Sequence, residues 1–187
     1  MFLEKTGNDE FMMERVKSMF QVNDMIVYGT HGVCKVQEIV SRDFGKEMKD
    51  YYLLKPVYDS GATIFVPVDN EKLQAKMRRV LSEEEVHRMI HGMPDEQLIW
   101  IENDNARKEA YKQIMDKGDR AQLIQLVKTL YFHSKKQKEK GKRLHVSDEV
   151  FLREAEKILY EEIALVLHMD KEEVRPYIIK ELAEEKD

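Results

Sequence analysis

The chain from residue 25 to residue 68 alternates short apolar runs with polar or glycine-containing turns. The apolar runs, rich in β-branched and aromatic residues, cover 25–28, 33–40, 50–57 and 63–68. The first two runs, joined through Gly29 and Gly32, predict a hairpin. Cys34 and Val36 alternate with Lys35, a period typical of a strand that turns one face to a core. Four such strands in succession favour a small, strongly bent antiparallel β-barrel.

Beyond Leu81 the apolar residues recur at helical spacing. Ser82 followed by three glutamates predicts a helix N-terminus, and Gly92 and Pro94 end that helix. Longer helices are predicted at 103–117, 119–137 and 147–169. Lys171–Glu185, which contains Pro176, is predicted as a last amphipathic piece made of two short turns.

The change of pattern near residue 78 predicts an α+β fold in two parts. A β-barrel domain occupies residues 19–78, and an all-α helical domain occupies residues 79–187. Residues 1–18 show no regular period, and we interpret them as a flexible amino-terminal extension.

Composition places the protein in the cytoplasm. Charged residues make up 36% of the chain and the mean hydropathy is -0.59, so we expect a soluble protein. No apolar run approaches the roughly 20 residues of a spanning helix, and the charged amino terminus is unlike a signal peptide, so no membrane association is expected. The single cysteine, Cys34, cannot form an internal disulfide, which fits a reducing compartment.

Enzyme chemistry finds little support in the sequence. The phosphate-binding, dinucleotide-binding and nucleophile-elbow motifs are absent. His87 and His91 have a metal-binding spacing, but Arg88 replaces the glutamate of a zinc protease, so surface histidines are favoured. His31 and Cys34 could form a thiolate pair, but a core cysteine is favoured. We predict no catalytic residue, no cofactor and no metal.

Basic residues are concentrated in two segments although the net charge is -5. The first segment, between residues 128 and 143, has Glu139 as its one acid, and the second follows Trp100. Such segments are either solvated helix faces and loops or phosphate contacts on DNA, which position a protein without reading sequence. The candidate DNA contacts are Lys135, Lys136, Lys138, Lys142 and Arg143 in the first segment, and Arg107, Lys108 and Lys112 in the second.

Trp100 admits two interpretations. Its apolar neighbours Leu98, Ile99 and Ile101 favour a core residue by periodicity alone. Its place before a basic helix would also suit an apolar wedge that inserts at a distorted base step in the minor groove.

Three motifs resemble the CarD/CdnL family of bacterial transcription regulators: FQVNDMIVYGTHGVCKVQEI from residue 20, DYYLLKPV from residue 50 and IFVPVDN from residue 64. The first domain is also similar to the polymerase-interacting module of the transcription-repair coupling factor. The helical part is less specific: Trp100, the helix of Arg107, KGD at 117–119 and LVKTLY are suggestive. The resemblance covers residues 19–169.

The resemblance implies a Tudor-like or SH3-like barrel that binds the lobe of the RNA polymerase β subunit by edge-strand pairing, a mode open to small sheets. The implied polymerase contacts are Arg42, Ile64, Phe65, Val66 and Pro67. Phe65 stands where a basic residue is common, so apolar contact is expected to be more important here.

It further implies that the helical domain contacts the upstream edge of the opening promoter. Trp100 lies a few residues farther upstream than the tryptophan of the family, with Glu102 and Asp104 intervening, whereas Arg107 falls where a DNA-contacting arginine is expected. We therefore expect a non-enzymatic regulator, a monomer, that is associated with the nucleoid through RNA polymerase and binds promoter DNA largely independently of sequence. The alternative is a protein adaptor on RNA polymerase without direct DNA contact.

Overall fold

The computed structural model describes residues 19–45, 47–59 and 61–184, so the predicted extension 1–18 lies outside the described residues. The strands are β1 (Met25–Tyr28), β2 (Val33–Asp43), β3 (Met48–Pro56), β4 (Ile64–Pro67) and β5 (Met77–Arg79). The helices are α1 (Glu71–Gln74), α2 (Glu83–Gly92), α3 (Asp104–Lys117), α4 (Arg120–Glu139), α5 (Val146–Val166) and α6 (Lys171–Glu184). Strands and long helices are segregated along the chain, as the apolar pattern predicts.

The five strands form one antiparallel sheet in the order β4-β3-β2-β1-β5. The predicted hairpin is confirmed, since Met25 lies opposite Lys35 and Val27 opposite Val33. The three-residue β5 was not predicted, because two of its residues are arginines. A closed barrel is not confirmed: β4 and β5 lie at opposite edges, and no pairing joins them in the described part of the chain.

The alternation along β2 is confirmed by burial. Cys34 and Val36 are fully buried and Lys35 is exposed. These two side chains pack with Tyr52 of β3 and Val66 of β4 in the core beneath the sheet. A β-bulge between Val36 and Glu38 then shifts the register of β2 against β3.

The start of the sheet shares a second core with the helices. Val27 and Val33 are fully buried among side chains of α3, α4 and α5, including Tyr111, Leu126 and Ile158. This shared core fixes the sheet against the helices, because close-packed interiors resist sliding.

Two adjacent carboxylates of α5 also tie the helices to the sheet. Glu161 Oε2 accepts from Val33 N at 3.3 Å, and Glu162 Oε1 accepts from Leu81 N at 3.0 Å. Glu162 is also paired with Arg120, whose guanidinium donates to the carbonyl of Arg79 in β5. The edge of the sheet at β5 is therefore covered by the helical part.

Local signals account for the helix ends. Ser82 and Glu85 form a reciprocal capping box at the start of α2, as the sequence predicts. α6 is a single helix that contains Pro176. Proline at this position removes the backbone bond to the carbonyl of residue 172, and its ring crowds that carbonyl. None of the described helices is both long and apolar enough to cross a membrane.

Candidate functional site

β4 is the uncovered edge of the sheet. Val68 N donates to Asp50 O, so residues 64, 66 and 68 turn their backbone groups toward β3. By the alternation of an antiparallel ladder, Phe65 turns both its N–H and its C=O outward. Pro67 has no N–H, and its carbonyl accepts from Asn70 N at 3.3 Å. Backbone pairing with another strand is therefore centred on Phe65.

The predicted polymerase contacts differ in exposure. The Phe65 side chain is 37% exposed, Ile64 and Pro67 are half-buried, and Arg42 lies exposed on β2. Val66 corrects the prediction: its side chain is fully buried in the core beneath the sheet. Inward alternation leaves the Val66 side chain no access to a partner, so its part in an interface is limited to shaping the strand.

Trp100 lies in a second region, a cleft of about 530 Å³ in the helical part. Its indole stacks on the His133 imidazole, with ring centroids 3.6 Å apart and planes inclined by 14°. The Arg107 guanidinium carbon lies 4.4 Å from the indole centroid. Trp100 is half-buried and packs against the helical core while also lining the open cleft, so it combines features of both interpretations.

Arg107 is buried, which corrects its predicted role as a phosphate contact. It is 3% exposed, and its guanidinium donates to both Asp148 carboxylate oxygens, at 3.2 and 3.0 Å. Further bonds reach Asp104 and the carbonyl of Ile101. These contacts leave the guanidinium no donor directed at a ligand. Arg107 instead holds the segment that carries Trp100.

The electrostatics of the cleft follow from these contacts. The hydrogen bond to Arg107 lowers the pKa of Asp104, so that carboxyl is ionised and paired. Burial lowers the pKa of His133, which favours a neutral imidazole beneath the indole. Lys142 and Arg143 are exposed and line the cleft, and the acid Glu102 also lines it.

The other predicted DNA contacts lie outside the lining of the cleft. Lys135, Lys136 and Lys138 are exposed on the last turns of α4, near the cleft residue Gln137. Lys112 is exposed and Lys108 half-buried on α3. The structure therefore brings together Trp100, Lys142 and Arg143, and it leaves the remaining lysines on flanking surfaces.

Sequence reasoning missed His133 and Asp148. His133 lies inside the basic segment 128–143, two residues before Lys135, and has no motif around it. Asp148 has the position of an ordinary first-turn acid in α5. The pairing of Asp148 with a residue 41 positions away leaves no local signal.

The described residues offer no arrangement suited to a reactive thiol or to a metal site. Burial raises the pKa of Cys34 to about 12, so its sulfur is a thiol in the core. His87 and His91 both approach Glu181 Oε1, at 3.4 and 3.1 Å. Within the described residues, no group of three or more histidine, cysteine, aspartate or glutamate side chains is arranged to hold a metal ion.

Two family models match the chain in succession. Residues 20–81 match the CarD-like/TRCF RID domain, and residues 79–179 match the CarD C-terminal domain. A β module of this kind, followed by these helices, indicates a transcription regulator that interacts with RNA polymerase. The chain belongs to the CarD family, and the resemblance noted from its motifs is confirmed.

The chain is also similar to a Bacillus subtilis (strain 168) protein described as "Putative transcription factor YdeB". The two are 25% identical over 166 residues, which cover 85% of this chain and 99% of that protein.

Proposed function

We propose that this protein binds the lobe of the RNA polymerase β subunit through β4 and contacts promoter DNA at the upstream edge of the bubble through the Trp100 cleft. Residues 19–78 form the polymerase-interacting part and residues 79–187 the DNA-contacting part. The protein acts in the cytoplasm, on the nucleoid, by way of RNA polymerase.

The observation that carries the polymerase contact is the free backbone edge at Phe65. The opposite edge of the sheet, at β5, is covered by Arg120 and Glu162, whereas no described strand pairs with the outer side of β4. An uncovered edge with outward N–H and C=O groups is a template for strand addition. It lies inside the segment that matches the RID domain.

The DNA contact is supported by the Trp100 cleft. An indole held by Arg107 and His133 is fixed in orientation, and the exposed Lys142 and Arg143 lie beside it. Apolar side chains flanked by cations suit a distorted base step next to phosphates. No described helix presents a base-reading pattern, so recognition is largely independent of sequence.

Regulation follows from differential binding. A ligand shifts a conformational equilibrium only by the difference in its affinity for the two states. The protein therefore biases open-complex formation if the cleft contacts the opened promoter edge more favourably than closed duplex DNA.

Binding to core RNA polymerase tests the edge contact. The dissociation constants of Phe65→Ala and Phe65→Pro are compared, since both variants lose the ring and the second alone loses the outward N–H. Proline is tolerated at an edge where its nitrogen faces solvent. We expect Phe65→Pro to bind roughly fivefold more weakly than Phe65→Ala. Equal binding by the two variants would contradict strand addition.

A forked promoter fragment tests the DNA contact. We expect binding that weakens as salt rises, with a shallower salt dependence in Lys142→Ala and Arg143→Ala, because each removes one phosphate contact. Polymerase binding without any salt-dependent DNA binding would favour the protein adaptor.

A further inference from the structure

An apolar groove, the α4–α6 groove, lies between α4 and α6. Its volume is about 300 Å³, and its lining is mainly aliphatic and aromatic, including Ile124 of α4 and Ile178 of α6. α5 packs against both helices and contributes Leu159 and Tyr160 to the groove. Among the described residues, the lining of the groove has no member in common with the Trp100 cleft or with β4. The groove is therefore a surface that neither proposed contact uses.

Three large apolar side chains of the groove are exposed to solvent. Tyr131 and Phe132 of α4 are 40% and 47% exposed, and Ile179 of α6 is 59% exposed. All three line the same groove, so they form one contiguous patch. Single apolar side chains are common on protein surfaces, whereas a contiguous patch marks an interaction surface.

The charged side chains inside the groove have partners of their own. Tyr160 Oη donates to Glu156 Oε1 at 3.3 Å. Burial raises the pKa of Glu156, and the nearby charge of Arg175 lowers it. Lys128 donates to two backbone carbonyls, at 2.5 and 2.6 Å. What the middle of the groove offers a partner is therefore apolar surface.

One end of the groove is basic. The Arg175 guanidinium, near the start of α6, lies over the ring of Tyr131, 5.3 Å from its centroid. Beyond this pair α4 continues with Lys135 and Lys138, which are both exposed. They come four and seven residues after Tyr131, so they lie on the same face of the helix.

The opposite end of the groove is acidic. Lys128, about one turn before Tyr131, contacts the carbonyl of Pro94, so the segment after α2 closes the groove there. Asp95 follows in that segment and is exposed, and Glu96 is half-buried. Their two charges outweigh that of Lys128. A surface with an apolar middle and ends of opposite charge is complementary to its own copy turned end for end.

We propose that the α4–α6 groove is the interface of a homodimer. Two copies face each other across a two-fold axis perpendicular to the groove, and Phe132 and Ile179 of each copy pack into the groove of the other. Lys135 of each copy then lies at the same end as Asp95 of the other. The occupant is a second copy because one patch supplies both charges in the order that this axis requires.

The size of the patch sets the strength of the dimer. The helices beside the groove contribute only two to three turns each, which is toward the lower end of interface sizes, so we expect a dimer that dissociates in the micromolar range. This inference goes beyond the proposed function, because each dimer carries two β4 edges and two Trp100 clefts.

Sedimentation equilibrium of the full-length protein tests the dimer. One chain has a mass of 22.2 kDa, and we expect the average mass to rise toward twice that value between roughly 1 and 100 µM. Ile179→Asp places a charge in the apolar middle and should weaken dimerisation about tenfold or more. Val150→Asp, at an exposed position of α5 outside the groove, is the matched control and should change it less than about twofold. Circular dichroism shows whether both variants keep the fold.

Two results would overturn the dimer. A mass of 22.2 kDa at every concentration, as for the monomer expected from the sequence, would leave the groove to a partner of another kind. Dimerisation that Ile179→Asp and Val150→Asp leave equally strong would place the interface elsewhere.

Charge reversal tests the end-for-end arrangement. Lys135→Glu and Asp95→Lys each place like charges at both ends of their own homodimer, so each variant alone should dimerise about threefold more weakly than wild type. A mixture of the two variants restores an opposite pair at each end of the mixed dimer, and its affinity should return to within about twofold of wild type. A mixture that dimerises no better than either variant alone would overturn the arrangement.

Discussion

The Glu161 carboxylate fills the space that a side chain on Gly32 would need. A Cβ built on Gly32 collides with Oε2 of Glu161, the atom that accepts from Val33 N at 3.3 Å. Gly32 also has φ of +73°, a region that residues with a Cβ adopt with difficulty. The β1–β2 hairpin and α5 can therefore approach this closely only because residue 32 is glycine.

Gly32→Ala is expected to lower the free energy of unfolding by about 3 kcal/mol, through backbone strain and displacement of a buried carboxylate. Chemical denaturation measures the loss. Gly92→Ala is the control: a Cβ there meets nothing within 4 Å, and the change should be neutral or stabilising by up to about 1 kcal/mol. A Gly32→Ala protein as stable as Gly92→Ala would show that the contact with Glu161 is dispensable.

Glu161 should make stability depend on pH. Burial raises its pKa above the ordinary 4.5, with lesser effects of Lys157 and Lys171, which lower it, and of Asp59, which raises it. The folded state therefore holds the proton more tightly than the unfolded chain does. The stabilising contribution is complete below pH 4.5 and is lost as pH rises through the higher folded pKa.

Glu161→Gln keeps an oxygen acceptor for Val33 N and removes this titration. We expect the variant to equal wild type near pH 4 and to be more stable by about 1 kcal/mol near pH 8. Denaturation curves of both proteins across this range give the difference, in which other carboxyls such as Glu156 cancel. A constant difference at all pH values would mean that Glu161 does not titrate between folded and unfolded states in this window.

Arg107→Ala is expected to cost about 3 to 5 kcal/mol of stability, because it leaves the buried Asp148 carboxylate without its partner. Lys112→Ala, exposed on the same helix, should stay within about 0.5 kcal/mol of wild type. Thermal or denaturant unfolding separates them. If the two variants were equally stable and Arg107→Ala alone lost DNA binding, the role as a phosphate contact would be restored.

Trp100→Ala should weaken binding of a forked promoter fragment and lower stability by only about 1 to 2 kcal/mol, since the indole is half-buried. Removing the indole also exposes the His133 ring, so the pKa of His133 should rise toward its ordinary value. An NMR titration of the imidazole follows that change. A loss of about 3 kcal/mol or more with unchanged DNA affinity would identify Trp100 as a core residue.

Features set by neighbouring residues were predictable from the sequence. The alternation of Cys34, Lys35 and Val36 fixed the buried face of β2, and the Ser82 capping box marked the start of α2.

Features set by distant contacts were not predictable. Arg107 and its partner Asp148 are 41 positions apart in the chain. In the sequence alone, an arginine that forms a buried ion pair cannot be distinguished from one that contacts a phosphate. β4 is the uncovered edge because the helices cover the opposite edge, where Arg120 donates to the carbonyl of Arg79 and Glu162 accepts from Leu81 N.

The neighbouring glutamates of α5, Glu161 and Glu162, hold the sheet in place against the helices. One reaches the amide that begins β2 and the other the amide that follows β5, so a single helix holds the central strand and one edge of the sheet. α4, whose last turns are basic, packs in the same core as this helix through Leu126 and Leu130. Under the proposed function, a sheet held in place against the helices would make the site of polymerase contact determine the position along the DNA that the indole reaches.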